Sequence, residues 1–334
     1  MEVFEEGSRK IIAKNDPEEH REWVLKNKPR ALVDKVMGID EAISKYVKDG
    51  DYLEYGFFGT RISMVAIYEI IRQKKKNLNV GRGGVFELDL LSAAGIVKTV
   101  ERGYGGGFEV RGLGPAFRRA VESGKIDIIE WTNTAHALRL RAAAMGIPFI
   151  PTRSMLGTDT LKYSAAKVVR CPFTGKKVCL LPALYPDVGL IHVQRCDKYG
   201  NAQIDGAKVM DIEIAMAARR VILTTEKIVD TEVFRKHPER TDIPYFYVDA
   251  VVEVPFGSHP SNVPGLYYMD EEFIAEWLRE AKTEEGAEKF LEKYIYGYDD
   301  FEEYLEMIGG IKKLNYLMRL EQFRETLKTP WADE

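Results

Sequence analysis

The chain has 334 residues, 45% of them hydrophobic and 30% charged, which is enough to bury the core of one large domain or two smaller ones. Its 48 Lys and Arg residues face 52 Asp and Glu residues. The resulting net charge of −4 argues against nucleic acid as the main partner, because phosphate binding usually requires a basic excess. The first residues lack the apolar core of a signal peptide, and no apolar run approaches the roughly 20 residues of a membrane span. We therefore predict a cytoplasmic protein without a membrane partner.

Residues 1–38 are charged and rich in helix formers, and we expect them to form an N-terminal arm that packs on another part of the protein. From Gly38 onward, apolar residues at helical spacing alternate with short apolar runs typical of strands. The alternation predicts a helix over 40–50, strand 51–58, helix 63–76, strand 77–82, helix 88–95, strand 96–104, helix 115–124, strand 127–131, helix 134–146 and strand 148–152. Such alternation with short connections predicts a mainly parallel sheet covered by helices.

The stretch 161–206 differs, because it is predicted to form successive strands joined by Tyr-Pro-Asp and Lys-Tyr-Gly-Asn turns. A helix over 211–219, a strand over 220–229 and an extended segment over 245–255 follow. The remaining residues are acidic and have helical apolar spacing. We predict an α/β fold with an open, mainly parallel sheet sandwiched by helices, divided into the arm (1–38), the main domain (39–270) and a helical C-terminal extension (271–334) packed on the domain or on a partner.

Three glycine-rich segments follow predicted strands, at 56–61, 81–84 and 103–109. Ligands of open α/β sheets bind beyond the carboxyl ends of the strands. Glycine lets backbone N–H groups approach a ligand and point together at an anion or a developing oxyanion. One such loop alone is more simply a tight turn, but three on successive strands favour a binding site. None has the GxGxxG or GxxxxGK[ST] spacing of a nucleotide-binding motif.

Glu109 is the acidic residue best placed for catalysis, because it ends the third glycine run between Phe108 and Val110. A carboxyl group beside apolar side chains has a raised pKa and can act as a general acid or base. The alternative is a structural role, in which Glu109 ties the loop to Arg111 or Arg118.

The other acids and the histidines favour structural roles. Glu54 and Glu101 alternate with apolar residues in predicted strands, and we expect each to form a structural pair. His136 lies on an apolar helix and is predicted to be packed, whereas His259 follows a strand in a turn and could line a pocket.

Arg153 and Ser154 lie in a polar loop after a predicted strand and are candidates for contact with substrate or partner. The cysteines, Cys171, Cys179 and Cys196, form neither a disulfide framework nor a CxxC motif, so we expect buried thiols. There is no HExxH motif either, and no metal site is predicted.

Several segments in fixed order carry a family resemblance. They are DGDYLEYGFFGTRISMVAIYEIIRQKKKNLNV, GYGGGFEVRGLGPAFRRAVESG, LRLRAAAMGIPFIPTRSMLGTD, VQRCDKYGNAQIDG, VILTTEKIV and VDAVVEVPFGSHPSNVPGLYYMD. With them the chain resembles the α subunit of the family I coenzyme A-transferases, glutaconate type, over about residues 30–275.

The resemblance implies a fold related to ribose-phosphate isomerases and a β subunit of like fold, in an α2β2 heterotetramer. It implies an enzyme that moves CoA between an acyl-CoA and a carboxylic acid. The CoA thioester is then a substrate, and no cofactor is tightly bound. The nucleophilic glutamate belongs to the β subunit, and this chain has no Glu-Asn-Gly element of the kind that carries it. This subunit would contribute loops, with the predicted substrate-binding residues Gly56, Phe57, Thr60, Arg61, Gly106, Gly107, Arg153 and Ser154.

The resemblance leaves other reactions open. Some relatives resemble hydrolases that open a ring in a steroid-derived CoA thioester, with a catalytic glutamate at the position of Glu109. Others resemble decarboxylases of a branched glutaconyl-CoA, and a non-catalytic scaffold subunit is a third alternative. The stretch 58–63 has fewer hydroxyl groups than the glutaconate type, which does not favour a small dicarboxylate substrate.

Overall fold

The computed structural model describes residues 2–56, 59–81, 84, 86–104 and 111–326. Its strands are β1 (Val3–Glu6), β2 (Tyr52–Tyr55), β3 (Leu78–Gly81), β4 (Val97–Arg102), β5 (Asp127–Glu130), β6 (Phe149–Thr152), β7 (Lys167–Arg170), β8 (Lys177–Pro182), β9 (Val188–Val193), β10 (Arg195–Cys196), β11 (Ala202–Gln203), β12 (Arg220–Thr225) and β13 (Ala250–Glu253). Its α-helices are α1 (Pro17–Asn27), α2 (Ile39–Tyr46), α3 (Met64–Arg72), α4 (Phe86–Ala93), α5 (Pro115–Glu122), α6 (Asn133–Ala144), α7 (Asp211–Ala217), α8 (Glu232–Lys236), α9 (Glu271–Glu280), α10 (Glu284–Tyr294), α11 (Phe301–Met307) and α12 (Gly310–Glu321).

A seven-stranded sheet forms the centre of the molecule, with the strand order β13-β12-β9-β2-β3-β4-β5. Every neighbouring pair in it is parallel. Strands β2 and β9 are buried along their whole length, as expected for parallel strands covered on both faces. One core contains residues of α2 to α5, and a second contains residues of α6 and α7. The predicted α/β fold with a parallel sheet between helices is confirmed.

A second sheet, of order β1-β7-β8-β6, is antiparallel and was not predicted. The predicted strand at 148–152 pairs with β8 in this sheet instead of continuing the parallel one. Its residues alternate between exposed and half-buried, which suits a sheet with one solvated face. The Tyr-Pro-Asp segment links the two sheets and is not a hairpin turn, whereas the predicted Lys-Tyr-Gly-Asn turn does join β10 to β11.

Helices α9 to α12 follow the parallel sheet in the chain, and residues of α9 to α11 extend its first core. Phe273 and Trp277 of α9 contact Phe290 of α10 through their rings, and Trp277 donates a hydrogen bond to Asp89 on α4. These helices therefore pack on the main sheet through α4. None of the helices in the described part of the chain is both long and apolar enough to cross a membrane.

The thiols differ in their surroundings. Cys179 and Cys196 are buried as expected, and burial raises the pKa of each, to about 11 and about 12. Cys171 is only half-buried, because it lies in the turn between β7 and β8, so the expectation of a buried thiol is wrong there.

His20 on α1 makes the stability of the fold depend on pH. The ring stacks on Tyr185 with centroids 4.3 Å apart, and burial, reinforced by the charges of Arg219 and Lys28, lowers its pKa to about 4. The unfolded chain, with a histidine pKa near 6.5, therefore binds a proton between pH 6.5 and 4 that the folded chain does not bind. Stability is lost as the pH falls through this window, by roughly 1–3 kcal/mol.

We expect the substitution His20→Phe, which keeps a stacking ring but cannot be protonated, to flatten the fall in melting temperature between pH 7 and pH 4.5. The control is His237→Gln, at an exposed site, which should retain the wild-type pH dependence. An identical fall in wild type and His20→Phe would exclude His20 as the cause.

Candidate functional site

The parallel sheet brings the carboxyl ends of β2, β3, β4, β9, β12 and β13 to one edge, where an open α/β sheet binds its ligands. The glycine-rich segments predicted from the sequence follow β2, β3 and β4 and so begin at this edge. Among the predicted site residues, the structure describes Gly56, Thr60, Arg61, Arg153 and Ser154. Phe57, Gly106, Gly107 and Glu109 lie outside the described residues.

The loop after β2 is fastened to the loop after β13 through its backbone. Thr60 bridges to Asn262, and the N–H of Arg61 donates to the carbonyl of Asn262 at 2.9 Å. The hydroxyl of Ser261 donates to the carbonyl of Gly59. Gly59 and Arg61 both adopt left-handed backbone conformations, with φ of 66° and 49°. Residues 59–61 are therefore attached to the loop after β13, with a strained backbone at Arg61.

The side chain of Arg61 points into the protein. It is 1% exposed, and its Nη2 lies 2.7 Å from Oδ2 of Asp211, the first residue of α7. Burial raises the pKa of Asp211, and the charge of Arg61 opposes that rise. Within the described ranges, the guanidinium of Arg61 forms its ion pair with Asp211. The proposed contact of Arg61 with substrate remains a prediction.

A buried chain of side chains joins the loop after β2 to the centre of the sheet. The hydroxyls of Ser63 and Thr224 lie 2.8 Å apart, and Thr224 Oγ1 lies 2.8 Å from Nδ1 of His192 on β9. Ser63 precedes α3 without capping it through its side chain, because the hydroxyl is turned toward Thr224. The start of α3 is thereby tied to β9 and β12.

Glu226, directly after β12, extends the same chain to the loop after β13. Its Oε1 lies 2.8 Å from Nε2 of His192 and accepts a hydrogen bond from the hydroxyl of Tyr267 at 2.6 Å. Its Oε2 accepts from the N–H of Phe256 at 2.8 Å. Sequence analysis did not identify this network. The polar residues at the carboxyl end of β12 were the available signal.

Glu54 and His136 form a pair beside the end of β3. Both are fully buried, and Nε2 of His136 lies 3.0 Å from Oε2 of Glu54. A Cβ atom at Gly81 would overlap this carboxylate. The last residue of β3 must therefore be a glycine. The predicted structural pairing of Glu54 and the packed role of His136 are confirmed.

Glu101 on β4 forms a second buried pair, with Arg139 on α6. Its Oε2 also accepts a hydrogen bond from Nε1 of Trp131 at 3.0 Å, and the guanidinium of Arg139 stacks on the Trp131 ring. The structural pairing predicted for Glu101 is likewise confirmed. The group holds the end of β4, from which the third glycine segment continues.

Residues 36–254 match the family model of coenzyme A transferases, a range that contains every strand of the parallel sheet. The chain belongs to the coenzyme A transferase family. It is 34% identical to the A subunit of glutaconate CoA-transferase from Acidaminococcus fermentans, over 84% of this chain and 94% of that protein. The crystal structure of that transferase superimposes with a TM-score of 0.81 at 32% identity, covering 85% of this chain and 95% of the other. The cholesterol ring-cleaving hydrolase IpdA subunit of Mycobacterium tuberculosis is 30% identical, over 80% of this chain and 94% of that protein.

Arg111 and Arg118, which are close to Glu109 in the sequence, are its predicted partners in the alternative, structural role. Arg111 forms a mostly buried ion pair with Glu271 at the start of α9, and Arg118 pairs with Glu122 at 2.8 Å on the surface. Both arginines therefore have carboxylate partners other than Glu109, whose own position lies outside the described residues. The first of these pairs links the transferase domain to its C-terminal helices.

His259 lies in the loop after β13 and is packed inside the protein. It is fully buried, with Nδ1 2.7 Å from the hydroxyl of Tyr304 and Nε2 3.1 Å from Oδ2 of Asp270. Burial acts to raise the pKa of Asp270, but His259 and the nearby Lys313 outweigh it and hold that pKa below its usual value. His259 thus fixes the loop after β13 to the C-terminal helices.

Arg153 and Ser154 follow β6, which belongs to the antiparallel sheet of this transferase-family chain. Arg153 is exposed, and the N–H of the half-buried Ser154 donates to the hydroxyl of Thr152 at 3.1 Å. Their predicted contact with substrate or partner remains a prediction for a loop that follows a strand of the antiparallel sheet.

A cleft of about 510 Å³ lies between α4, α5 and α10. Its residues Gly95 and Lys125 precede β4 and β5, so the cleft is at the opposite edge of the sheet from the glycine segments. Among the residues that are described, no three His, Cys, Asp or Glu side chains are grouped to hold a metal ion. The carboxyl edge of the parallel sheet is therefore the candidate active site of this family member.

Proposed function

We propose that this chain is the α subunit of a heteromeric CoA-transferase that moves CoA between an acyl-CoA and a carboxylic acid. The observation that carries the proposal is the match to the A subunit of glutaconate CoA-transferase, which spans nearly all of that protein in sequence and in structure. The partner is a β subunit of like fold, in an α2β2 assembly. The complex works in the cytoplasm, with a CoA thioester as substrate and no tightly bound cofactor.

The β subunit supplies the nucleophile, a glutamate. Its carboxylate attacks the thioester carbonyl and expels CoA thiolate, which leaves an acyl-glutamyl anhydride. The thiolate then attacks the glutamyl carbonyl, so that the first carboxylic acid departs and an enzyme-CoA thioester remains. The second carboxylic acid receives CoA by the reverse steps. This chain contributes the loops after its parallel strands, where glycine backbone N–H groups can stabilise the developing oxyanion.

The proposal is tested by trapping the thioester. The chain is co-purified with its partner, acyl-CoA is added, and the complex is treated with borohydride or hydroxylamine. We expect one glutamate of the partner to be modified, and no modification in a sample without acyl-CoA. If acyl-CoA is consumed while neither subunit becomes modified, a glutamyl thioester is not on the reaction path.

A hydrolase that opens a ring in a CoA thioester is the second candidate, and the likeness to the ring-cleaving IpdA subunit supports it. In that reaction Glu109 acts as the acid or base while water cleaves a ring bond of the acyl group, and the thioester stays intact. The two functions differ in the second reactant: a transferase needs a carboxylic acid for turnover, whereas the hydrolase needs only water and releases no CoA. A partner sequence that lacks the nucleophilic glutamate would favour the hydrolase.

A further inference from the structure

We infer that Arg61, held by Asp211, is a positioning residue that holds residues 59–63, after β2, in place at the active site. This inference rests on the proposed function. It assigns Arg61 a role inside the protein, in place of the direct substrate contact that its sequence position suggested.

The ion pair is costly for the stability of the fold. Arg61 and Asp211 are 1% and 3% exposed, so both charges are removed from water. Nε and Nη1 of Arg61 and Oδ1 of Asp211 have no hydrogen-bond partner in the described part of the chain. The attraction within such a pair often fails to offset its desolvation, and apolar replacements of similar volume are frequently neutral or stabilising. Stability alone therefore does not account for this pair.

The backbone at Arg61 adds a second cost at the same place. A left-handed conformation in a residue other than glycine is strained and persists only where the surroundings enforce it. Here the N–H of Arg61 is bonded to Asn262, and its side chain is bonded to Asp211. Strain of this kind is concentrated at functional sites, and the observed outlier therefore supports a functional role for the loop.

Asp211 connects the loop to a rigid part of the fold. It begins α7, which packs against α6, β2 and β9. On this helix Ile214 lies so close to Gly189 of β9 that a Cβ atom there would crowd it. The loop after β2 is consequently held on two sides, by Asn262 through its backbone and by α7 through Arg61. A displacement of about 1 Å in a substrate-positioning element can reduce turnover about 100-fold, so this double attachment matters for the rate.

The test uses Arg61→Met, Asp211→Leu and the double variant, each in complex with the partner subunit. We expect both single variants to lower the melting temperature, because Arg61→Met leaves Asp211 without its cation and Asp211→Leu leaves the guanidinium without its anion. The double variant should recover the melting temperature of the wild type. Its kcat should remain at least about 10-fold below wild type, with KM for acyl-CoA changed less than about 3-fold.

The matched control is Glu213→Gln, which removes the ion pair between the exposed Arg141 and the half-buried Glu213 of the same helix. This variant should leave both kcat and melting temperature unchanged. Two results would overturn the inference. A double variant with wild-type kcat makes the pair merely structural, and a KM raised by Arg61→Met but not by Asp211→Leu makes Arg61 a substrate-binding residue.

Hydrogen exchange separates this inference from the proposed function. The amides of residues 61 and 65 are bonded to Asn262 and Gly257, and we expect a peptide covering them to exchange at least about 10-fold faster in the double variant than in Glu213→Gln. If the wild-type complex neither transfers CoA nor hydrolyses acyl-CoA, the proposed function fails, and exchange alone decides the inference. Unchanged exchange in the double variant would then overturn it.

Discussion

Replacing Arg139 by methionine should lower the free energy of unfolding by about 3–5 kcal/mol, because it leaves the carboxylate of Glu101 buried without its cation. Both side chains are almost completely buried, and Trp131 would remain as the described donor of a hydrogen bond to Glu101. The stacking of the guanidinium on the Trp131 ring is lost as well. Urea denaturation of the variant and the wild type measures the difference from the two midpoints at equal slope.

The double variant Arg139→Met, Glu101→Gln distinguishes two contributions to the lost stability. One is the unpaired charge of Glu101, and the other is the loss of packing by Arg139. A glutamine keeps an oxygen that accepts the Trp131 hydrogen bond but carries no charge, so we expect it to recover most of the lost stability. Arg118→Met, which breaks a solvent-exposed pair, should leave the urea midpoint at its wild-type value. A loss below about 1 kcal/mol in Arg139→Met would mean that Glu101 becomes protonated or hydrated in the folded variant.

The parallel sheet was predictable because its elements carry local signals. Strand β9 is preceded by a Tyr-Pro-Asp segment, and helix α5 begins at Pro115 and is followed by Gly124, so short windows of sequence reveal them. The antiparallel sheet was not predicted because, although β7 and β8 are close in sequence, its edge strand β1 comes from a distant segment. Strand β1 pairs with β7 more than 160 residues away, and no local pattern in either strand specifies the other.

Part of the candidate site could also be predicted from local sequence, and part of it could not. Glycines marked the loops after β2, β3 and β4, since a close backbone approach needs a particular residue type. The partners that shape the loop after β2 could not be found from the sequence. Asp211 is 150 residues from Arg61, and Glu226 and Asn262 are acidic or polar residues without a distinctive motif. Their roles exist only once β9, β12 and β13 lie in the same sheet as β2.

The ion pair between Arg111 and Glu271 connects the C-terminal helices to the region of the candidate site. The family match ends at residue 254, yet Glu271, Asp270 and Tyr304 from beyond it contact residues beside the site loops. Asp270 and Tyr304 form hydrogen bonds with His259 in the loop after β13. The same loop forms hydrogen bonds with Gly59 and Arg61. Two site loops are thus supported from outside the segment that defines the family.

Replacing Glu109 by glutamine in the complex with the partner subunit should lower kcat by about 100- to 10,000-fold, the range for removal of a general acid or base. The glutamine side chain has nearly the same shape but cannot accept or release a proton at neutral pH. Glu109→Asp keeps the carboxyl group at a shorter reach and should retain part of the activity. The pH profile of kcat/KM should lose the limb that reports this carboxyl group, whereas the KM for acyl-CoA should change little because binding does not require the proton.

Glu122→Gln is the control for that measurement, because Glu122 is an exposed acid 13 positions later in the chain that pairs with Arg118 at the surface. It should leave kcat and the pH profile unchanged. In a transferase, Glu109→Gln should still allow the partner glutamate to be trapped, but more slowly, since the nucleophile lies on the other chain. In a ring-opening hydrolase that uses Glu109 directly, opening of the ring would instead be lost without any trapped species. Full activity in Glu109→Gln would remove the acid–base role altogether and favour a subunit that contributes shape and partner contacts alone.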